Sequence, residues 1–255
     1  MTIDFDWNTL IIVLPFIFAG GFVDSIAGGG GVLSWIGFLI AGVPMHISYS
    51  TNKIQALAGT SVSSYNYIKA GHFNKWFLPF AIVGAILGSS IGSYVVTTLD
   101  DATLKMIITV VLPFIALMMA FSRKSEKAKN RKLSKGQIFI TSGILGLAIG
   151  LYDGFIGPGA GTFLIVGFSM LGLSLLEAGG NAKIINLITS LSASIIFITG
   201  GFLDLGLVIP CIIVNIVANH LGSKLAISGG EKIIRPVMLS VMVMLVLKLA
   251  SDVLL

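Results

Sequence analysis

The chain reads as an all-α integral membrane protein of two inverted-topology repeats, each a glycine-broken helical hairpin plus three transmembrane helices. Three observations predict this. Of 255 residues, 55% are hydrophobic and 11% charged, and the mean hydropathy is +0.99, too apolar for a soluble domain of this length. Apolar runs of about 20 residues, the length that crosses a bilayer, recur along the chain. The second half also repeats the first at a constant offset of 130 residues.

The apolar runs fall at about 8–27, 76–98, 102–122, 136–156, 203–226 and 232–253, with two more polar ones at about 47–69 and 181–199. Short pieces at 32–43 and 162–173 are too brief to span unaided. Continuous apolarity favours helices over barrel strands, which would alternate polar and apolar. The acidic start at residues 1–6 lacks the basic n-region of a cleaved signal peptide, so the first run is expected to be retained. A single cysteine, Cys211, excludes an intramolecular disulfide and reads as a packing residue.

Between the first run and the first short piece stands Asp24-Ser25-Ile26-Ala27-Gly28-Gly29-Gly30-Gly31. Consecutive glycines are poor helix interior and predict a break. The design returns as Tyr152-Asp153-Gly154-Phe155-Ile156-Gly157-Pro158-Gly159-Ala160-Gly161-Thr162-Phe163. Identical pairs at the 130-residue offset include Gly29/Gly159, Gly31/Gly161, Gly42/Gly172, Lys53/Lys183, Gly71/Gly201 and Gly92/Gly222, while Asp24 and Asp153 need a one-residue slip. Residues 1–122 form the first repeat, 123–135 a connector and 136–255 the second repeat.

That connector holds seven of the sixteen basic residues, which by the positive-inside rule places it in the cytoplasm. Parity then puts 97–101 and 200–204 outside, 69–75 and 224–235 inside, and both termini outside. The two glycine-broken hairpins enter from opposite faces, the arrangement of transporters that bind substrate near the midplane between discontinuous helices. Clustered as a loop signal and without aromatic interleaving, the basic residues do not point to nucleic acid.

A helix restarting after Gly31, and another after Gly161, presents bare N–H groups and a positive dipole end. Two such ends form an anion site, with glycine letting a ligand approach the backbone. Gly29, Gly30, Gly31, Gly159, Ala160 and Gly161 are the expected substrate-binding backbone, and Asn52, Gln55, Asn181 and Asn186 its hydrogen-bonding shell. Close helix packing is the alternative role of the glycines. Asp24 and Asp153 read as proton-coupling groups, as caps on turn N–H groups, or as carboxylates near enough to an interface to be solvated. Lys53 and Lys183 either attract an anion or snorkel to the headgroups, and their expected places near opposite faces favour snorkelling. Cys211, Asn215 and Asn219 form one helical stripe, which helix–helix hydrogen bonding explains as well as a pathway does. His46, His72 and His220 lack metal-site spacing, and there is no nucleotide motif, so no metal or other cofactor is expected.

These motifs, with Ser50-Thr51-Asn52-Lys53-Ile54-Gln55-Ala56 and Lys183-Ile184-Ile185-Asn186, resemble the TauE/SafE family of membrane permeases over essentially the whole chain. The resemblance implies an inner-membrane secondary transporter, or permease, of small sulfur-containing anions such as sulfite or an organosulfonate. The partners so implied are a small anionic substrate and the lipid bilayer, with homo-oligomerisation left open and no nucleic acid. A passive anion channel and a non-transporting membrane partner protein are the alternatives. An enzyme is not expected, because no acid/base or metal constellation is legible.

Overall fold

A computed structural model describes residues 7–110, 134–234 and 236–237. Among these residues all the regular structure is helical. The first half supplies α1 (Trp7–Ala27), α2 (Gly31–Ile40), α3 (Met45–Lys69), a short 3-10 turn (Lys75–Phe77), α4 (Leu78–Thr98) and the start of α5 at 101–110. The second supplies α6 (Lys135–Phe155), α7 (Ala160–Met170), α8 (Leu175–Thr199) and α9 (Leu205–Gly229). The expected spans 102–122 and 232–253 lie largely outside the described residues. So does the 123–135 connector, except at its end, where Ser134 and Gln137 form the capping box that opens α6.

By length and composition α1, Lys75–Thr98, α6, α8 and α9 can each cross a bilayer. At 25 residues α3 is as long as α8, but it is more polar. Its burial explains how that is tolerated: Ser50, Thr51, Asn52, Lys53 and Gln55 are all inside the protein. With ten and eleven residues, α2 and α7 are roughly 15–17 Å long, about half the hydrocarbon thickness. Each short piece is therefore too short to cross a bilayer alone.

The repeat is written into the backbone. Gly42 (φ 68°) ends α2 as Gly172 (φ 103°) ends α7, and Gly71 (φ 76°) ends α3 as Gly201 (φ 80°) ends α8. At each end the same closing bond follows: Val43 N to Phe38 O (3.1 Å) and Leu173 N to Phe168 O (3.2 Å), then His72 N to Tyr67 O and Phe202 N to Phe197 O (3.0 and 3.1 Å). This helix stop needs a left-handed residue, which glycine supplies without a Cβ penalty. The one-residue slip falls in the breaks, which run over 28–30 in the first half and 156–159 in the second.

The halves share one core. Gly84, Gly88 and Gly92 of α4 face α6, where a Cβ on each would lie 2.3–2.4 Å from a carbonyl oxygen of Gly143, Leu147 or Leu151. In return Gly146 and Gly154 of α6 leave room only for the backbone of Ala81 and Ser89. Small residues every four positions bring helices together where lipid provides no hydrophobic drive. On the other side Gly21 of α1 abuts Asn215 and Ala218, and Gly222 of α9 abuts Phe22 and Ser25. Buried Trp35, Tyr49, Tyr67, Phe168 and Phe197, drawn from both halves, complete the centre.

α8 starts at Leu175 rather than near 181. Gly179-Gly180 looks like a break, but the capping box of Ser174 with Glu177 starts the helix earlier and carries it through both glycines.

Candidate functional site

The two helix breaks touch. Thr162 at the start of α7 donates its N–H to Gly28 O (2.9 Å) and its hydroxyl to Ala27 O (2.9 Å). A Cβ on Gly28 would lie 2.3 Å from the carbonyl carbon of Gly161, and one on Gly161 would lie 2.7 Å from Gly28 Cα. Only glycines at both tips permit this approach, and Gly28 also holds φ at 78°.

Beside the tips lies a cavity of about 50 Å³ into which several polar side chains project. That is several times the roughly 10–15 Å³ a single water requires. Gly28, Gly31, Gly159, Ala160 and Gly161 supply its backbone wall, and Asn52, Gln55 and Asn186 its amide wall. Asp24 and Asp153 also line it. Most of the residues expected from sequence are thus brought to one place. Three are not. Gly30 packs against α1, where a Cβ would meet Gly20 O at 1.7 Å, and buried Gly29 is outside the wall. Asn181, wholly buried, clamps the loop after α3: its Oδ1 accepts from Asn74 N (2.8 Å) and its Nδ2 donates to Asn74 O (3.2 Å).

Two ion pairs flank the tips, each crossing between halves, with both lysines and Asp153 buried and Asp24 half-buried. Lys53 Nζ of α3 lies 2.9 Å from Asp153 Oδ1 at the end of α6 and also donates to Asp153 O. Lys183 Nζ of α8 lies 2.7 Å from Asp24 Oδ2 at the end of α1. The snorkelling expected of the lysines does not occur. Each sits eight residues into its helix, roughly 12 Å along it, and is buried against an aspartate rather than extended to a helix end. The early start of α8 is what moves Lys183 inward. Each carboxylate stands in the last turn of its helix, the unfavourable end of the macrodipole for a negative charge. Its counter-charge is a lysine of the opposite half, not the turn amides that a capping role would require. Charges this deep are kept only when paired and hydrogen-bonded.

On the far wall the amides are tied in a chain. Asn219 Nδ2 donates to Asn215 Oδ1 (2.9 Å), Asn215 Nδ2 to Gln55 O (2.8 Å), and Gln55 Nε2 to Asn52 Oδ1 (3.0 Å). The α9 stripe thus joins helices and lines the cavity at once. Gln55 Oε1, Asn186 Oδ1 and Asn219 Oδ1 are buried without a partner among the described residues. Asn186 Nδ2 lies against the second tip, 2.8 Å from where a Cβ on Gly161 would stand. Gly20, Gly21 and Ser34 also line the cavity. They escaped the sequence reading because a small residue on a spanning helix gives the same signal whether it packs or faces a void.

Apolar helices around a cavity walled by Lys53, two aspartates and amides are the build of a multi-pass membrane transporter. The chain belongs to the family described as Sulfite exporter TauE/SafE, whose model matches residues 13–249. It is 32% identical over 253 residues to the probable membrane transporter protein ORF9 of Sinorhizobium sp, covering 98% of this chain and 95% of the relative. It is 28% identical over 252 residues to a probable membrane transporter protein of Haemophilus influenzae, covering 98% and 97%. With the probable membrane transporter protein YfcA of Escherichia coli K12 it shares 28% over 255 residues, covering 96% and 94%. Family and names indicate a transporter, not an enzyme.

Proposed function

We propose that this protein is an inner-membrane secondary transporter of a small sulfur-containing anion, sulfite or a short organosulfonate, working by alternating access at the cavity between the two helix tips. The observation that carries this reading is the cavity itself, bounded by both breaks, by the Lys53 ammonium and by the amides of Asn52 and Asn186. Helix-start N–H groups, an ammonium and amide N–H donors suit an oxyanion. A volume of about 50 Å³ suits a small one. The family description, a sulfite exporter, agrees in substrate class. The two halves, entering from opposite faces with the 123–135 connector in the cytoplasm and both termini outside, would rock against each other about the touching tips.

The test is flux into proteoliposomes holding only the purified protein, with labelled sulfite and methanesulfonate as probes. Saturable uptake, competed by the unlabelled anion and reduced at least tenfold in Asn186→Leu, is the expected result. Absent or non-saturable flux would sink the reading.

A further inference from the structure

Resting on the reading that this cavity takes an anion, we propose that Asp24 takes up one proton as the anion binds, so that the anion replaces the Asp24 carboxylate as the counter-charge of Lys183. The remaining pair, Lys53 with Asp153, stays closed through the cycle.

The argument begins with charge. With all four groups ionised, the two lysines and two aspartates around the cavity sum to zero, and an anion would enter a neutral site fronted by two carboxylates. A desolvated negative charge there is costly unless a positive charge is released to meet it. Protonating one aspartate releases one, so a monovalent anion then restores neutrality: one proton in, one negative charge in.

The two pairs are unequal, and the inequality selects Asp24. Lys53 holds Asp153 by two bonds, to the carboxylate and to the backbone carbonyl, and the turn at Gly157 closes over it, with a Cβ there 3.4 Å from Nζ. Lys183 holds Asp24 by one bond. Asp24 has a side chain 21% exposed, against 10% for Asp153, and it fronts the cavity. Lys183 is wholly buried and is not part of the cavity wall, whereas its partner Asp24 is, so Asp24 links Lys183 to the cavity. Once Asp24 is neutral, Lys183 is a buried cation with no counter-ion, and the occupant is the nearest candidate to supply one.

Few other ionisable groups face Asp24 from the helices around it. From α8 there is Lys183, and from α3 there is Tyr67, whose hydroxyl donates to Ser25 O (3.4 Å). Lys53 on α3 is engaged by Asp153. Neither α2 nor α7 carries an ionisable side chain, and Cys211, His220 and Lys224 of α9 are outside the cavity wall.

The experiment uses purified full-length protein and methanesulfonate, which remains an anion from about pH 5 to 9, so any pH dependence belongs to the protein. Binding is followed by the thermal shift that the anion induces, and proton movement by a pH dye inside proteoliposomes. In the parent protein, affinity should fall about tenfold per unit rise in pH on the alkaline side, the slope of one linked proton, and anion entry should acidify the lumen. Asp24→Asn should bind with a slope near zero and move no protons, whereas Asp153→Asn should bind more weakly but keep the slope. If Asp24→Asn does not fold, Asp24→Asn with Lys183→Gln removes both charges and should bind no anion at any pH. Anion binding by a parent protein whose affinity ignores pH overturns the inference alone, as does a slope that survives Asp24→Asn or binding by the double variant. A parent protein that binds and moves neither sulfite nor methanesulfonate overturns the transport reading, and this inference with it.

Discussion

Thr162 donates its amide to the carbonyl of Gly28 over 2.9 Å, tying the second helix restart to the end of the first. The bond runs between residues 134 positions apart and lies where both short helices begin, so it fixes the two tips relative to each other. Its cost falls on Gly28, which combines a positive φ with backbone contact. Gly28→Ala should therefore destabilise by several kcal/mol, from about 1–2 for the left-handed conformation and about 1–3 for overpacking. Gly42→Ala, with a similar φ but open space around it, should lose only the conformational part. Thermal denaturation in detergent ranks them, and a Gly28→Ala protein as stable as the Gly42→Ala one would contradict the tip contact.

The ion pair of Lys53 with Asp153 makes a second prediction. Removing one partner strands a buried charge, at a cost of about 3–5 kcal/mol, while replacing both by apolar residues is often neutral. Lys53→Met should denature well below the parent protein, and Lys53→Met with Asp153→Leu should recover most of the loss. Recovery by the double change, measured as a coupling in denaturation temperature, is the signature. Additive losses would mean that the two side chains do not meet.

Much of this was legible along the chain. Apolar length marks α1, α4, α6 and α9, and clustered glycines mark both breaks, because each is a property of a single segment. The 130-residue repeat reappears in the shared helix stops at Gly42 and Gly172. What could not be read was pairing across the fold. Lys53 and Asp153 are 100 residues apart, and nothing local says that α3 passes the end of α6. Asn181 shows the same gap from the other side: polar, next to glycines and close to Lys183, it looks like a site residue until the earlier start of α8 turns it toward the loop at Asn74.

The seam between α4 and α6 depends on the absence of side chains. A Cβ on Gly88 would sit 2.3 Å from Leu147 O, and backbone cannot yield as a flexible side chain can. Gly88→Val should force the helices apart and cost upward of about 3 kcal/mol, at the top of the range for overpacking. Gly136→Val, in open space near the start of α6, is the control and should change little. The readout is the yield of monodisperse protein in mild detergent together with its denaturation temperature. Equal behaviour of the two variants would refute the close crossing.

Asp100 caps the start of α5 from an exposed loop: its Oδ1 accepts from Thr103 N (2.8 Å) and its Oδ2 from the Thr103 hydroxyl (3.0 Å). Those bonds hold its carboxyl below the ordinary carboxylate value. A depressed folded-state value means that the cap's contribution is fully present above the unfolded value of about 3.9 and is lost as pH falls through the folded one. Asp100→Ala should thus lower the denaturation temperature slightly at about pH 6, with the difference closing toward about pH 3. A difference that widens on acidification would show the opposite linkage.

Asn181 and Asn186, five residues and so about 1.4 turns apart on α8, separate scaffold from site. Asn181 is wholly buried and satisfies both backbone groups of Asn74, so Asn181→Ala leaves a donor and an acceptor without their partner, at about 1–3 kcal/mol. It touches nothing in the cavity, so the surviving folded protein should move anions with unchanged half-saturation. Asn186 lines the cavity beside Gly161, and its amide oxygen has no protein partner to lose among the described residues. Asn186→Ala should keep near-parent stability and raise the half-saturation concentration about tenfold, the equivalent of one charge-assisted hydrogen bond of roughly 1.4 kcal/mol. Flux and denaturation measured on the same two preparations decide the matter, because the two residues are expected to move opposite observables. If Asn181→Ala alone weakens anion binding, the binding shell extends to the loop at Asn74 and this cavity is only part of it.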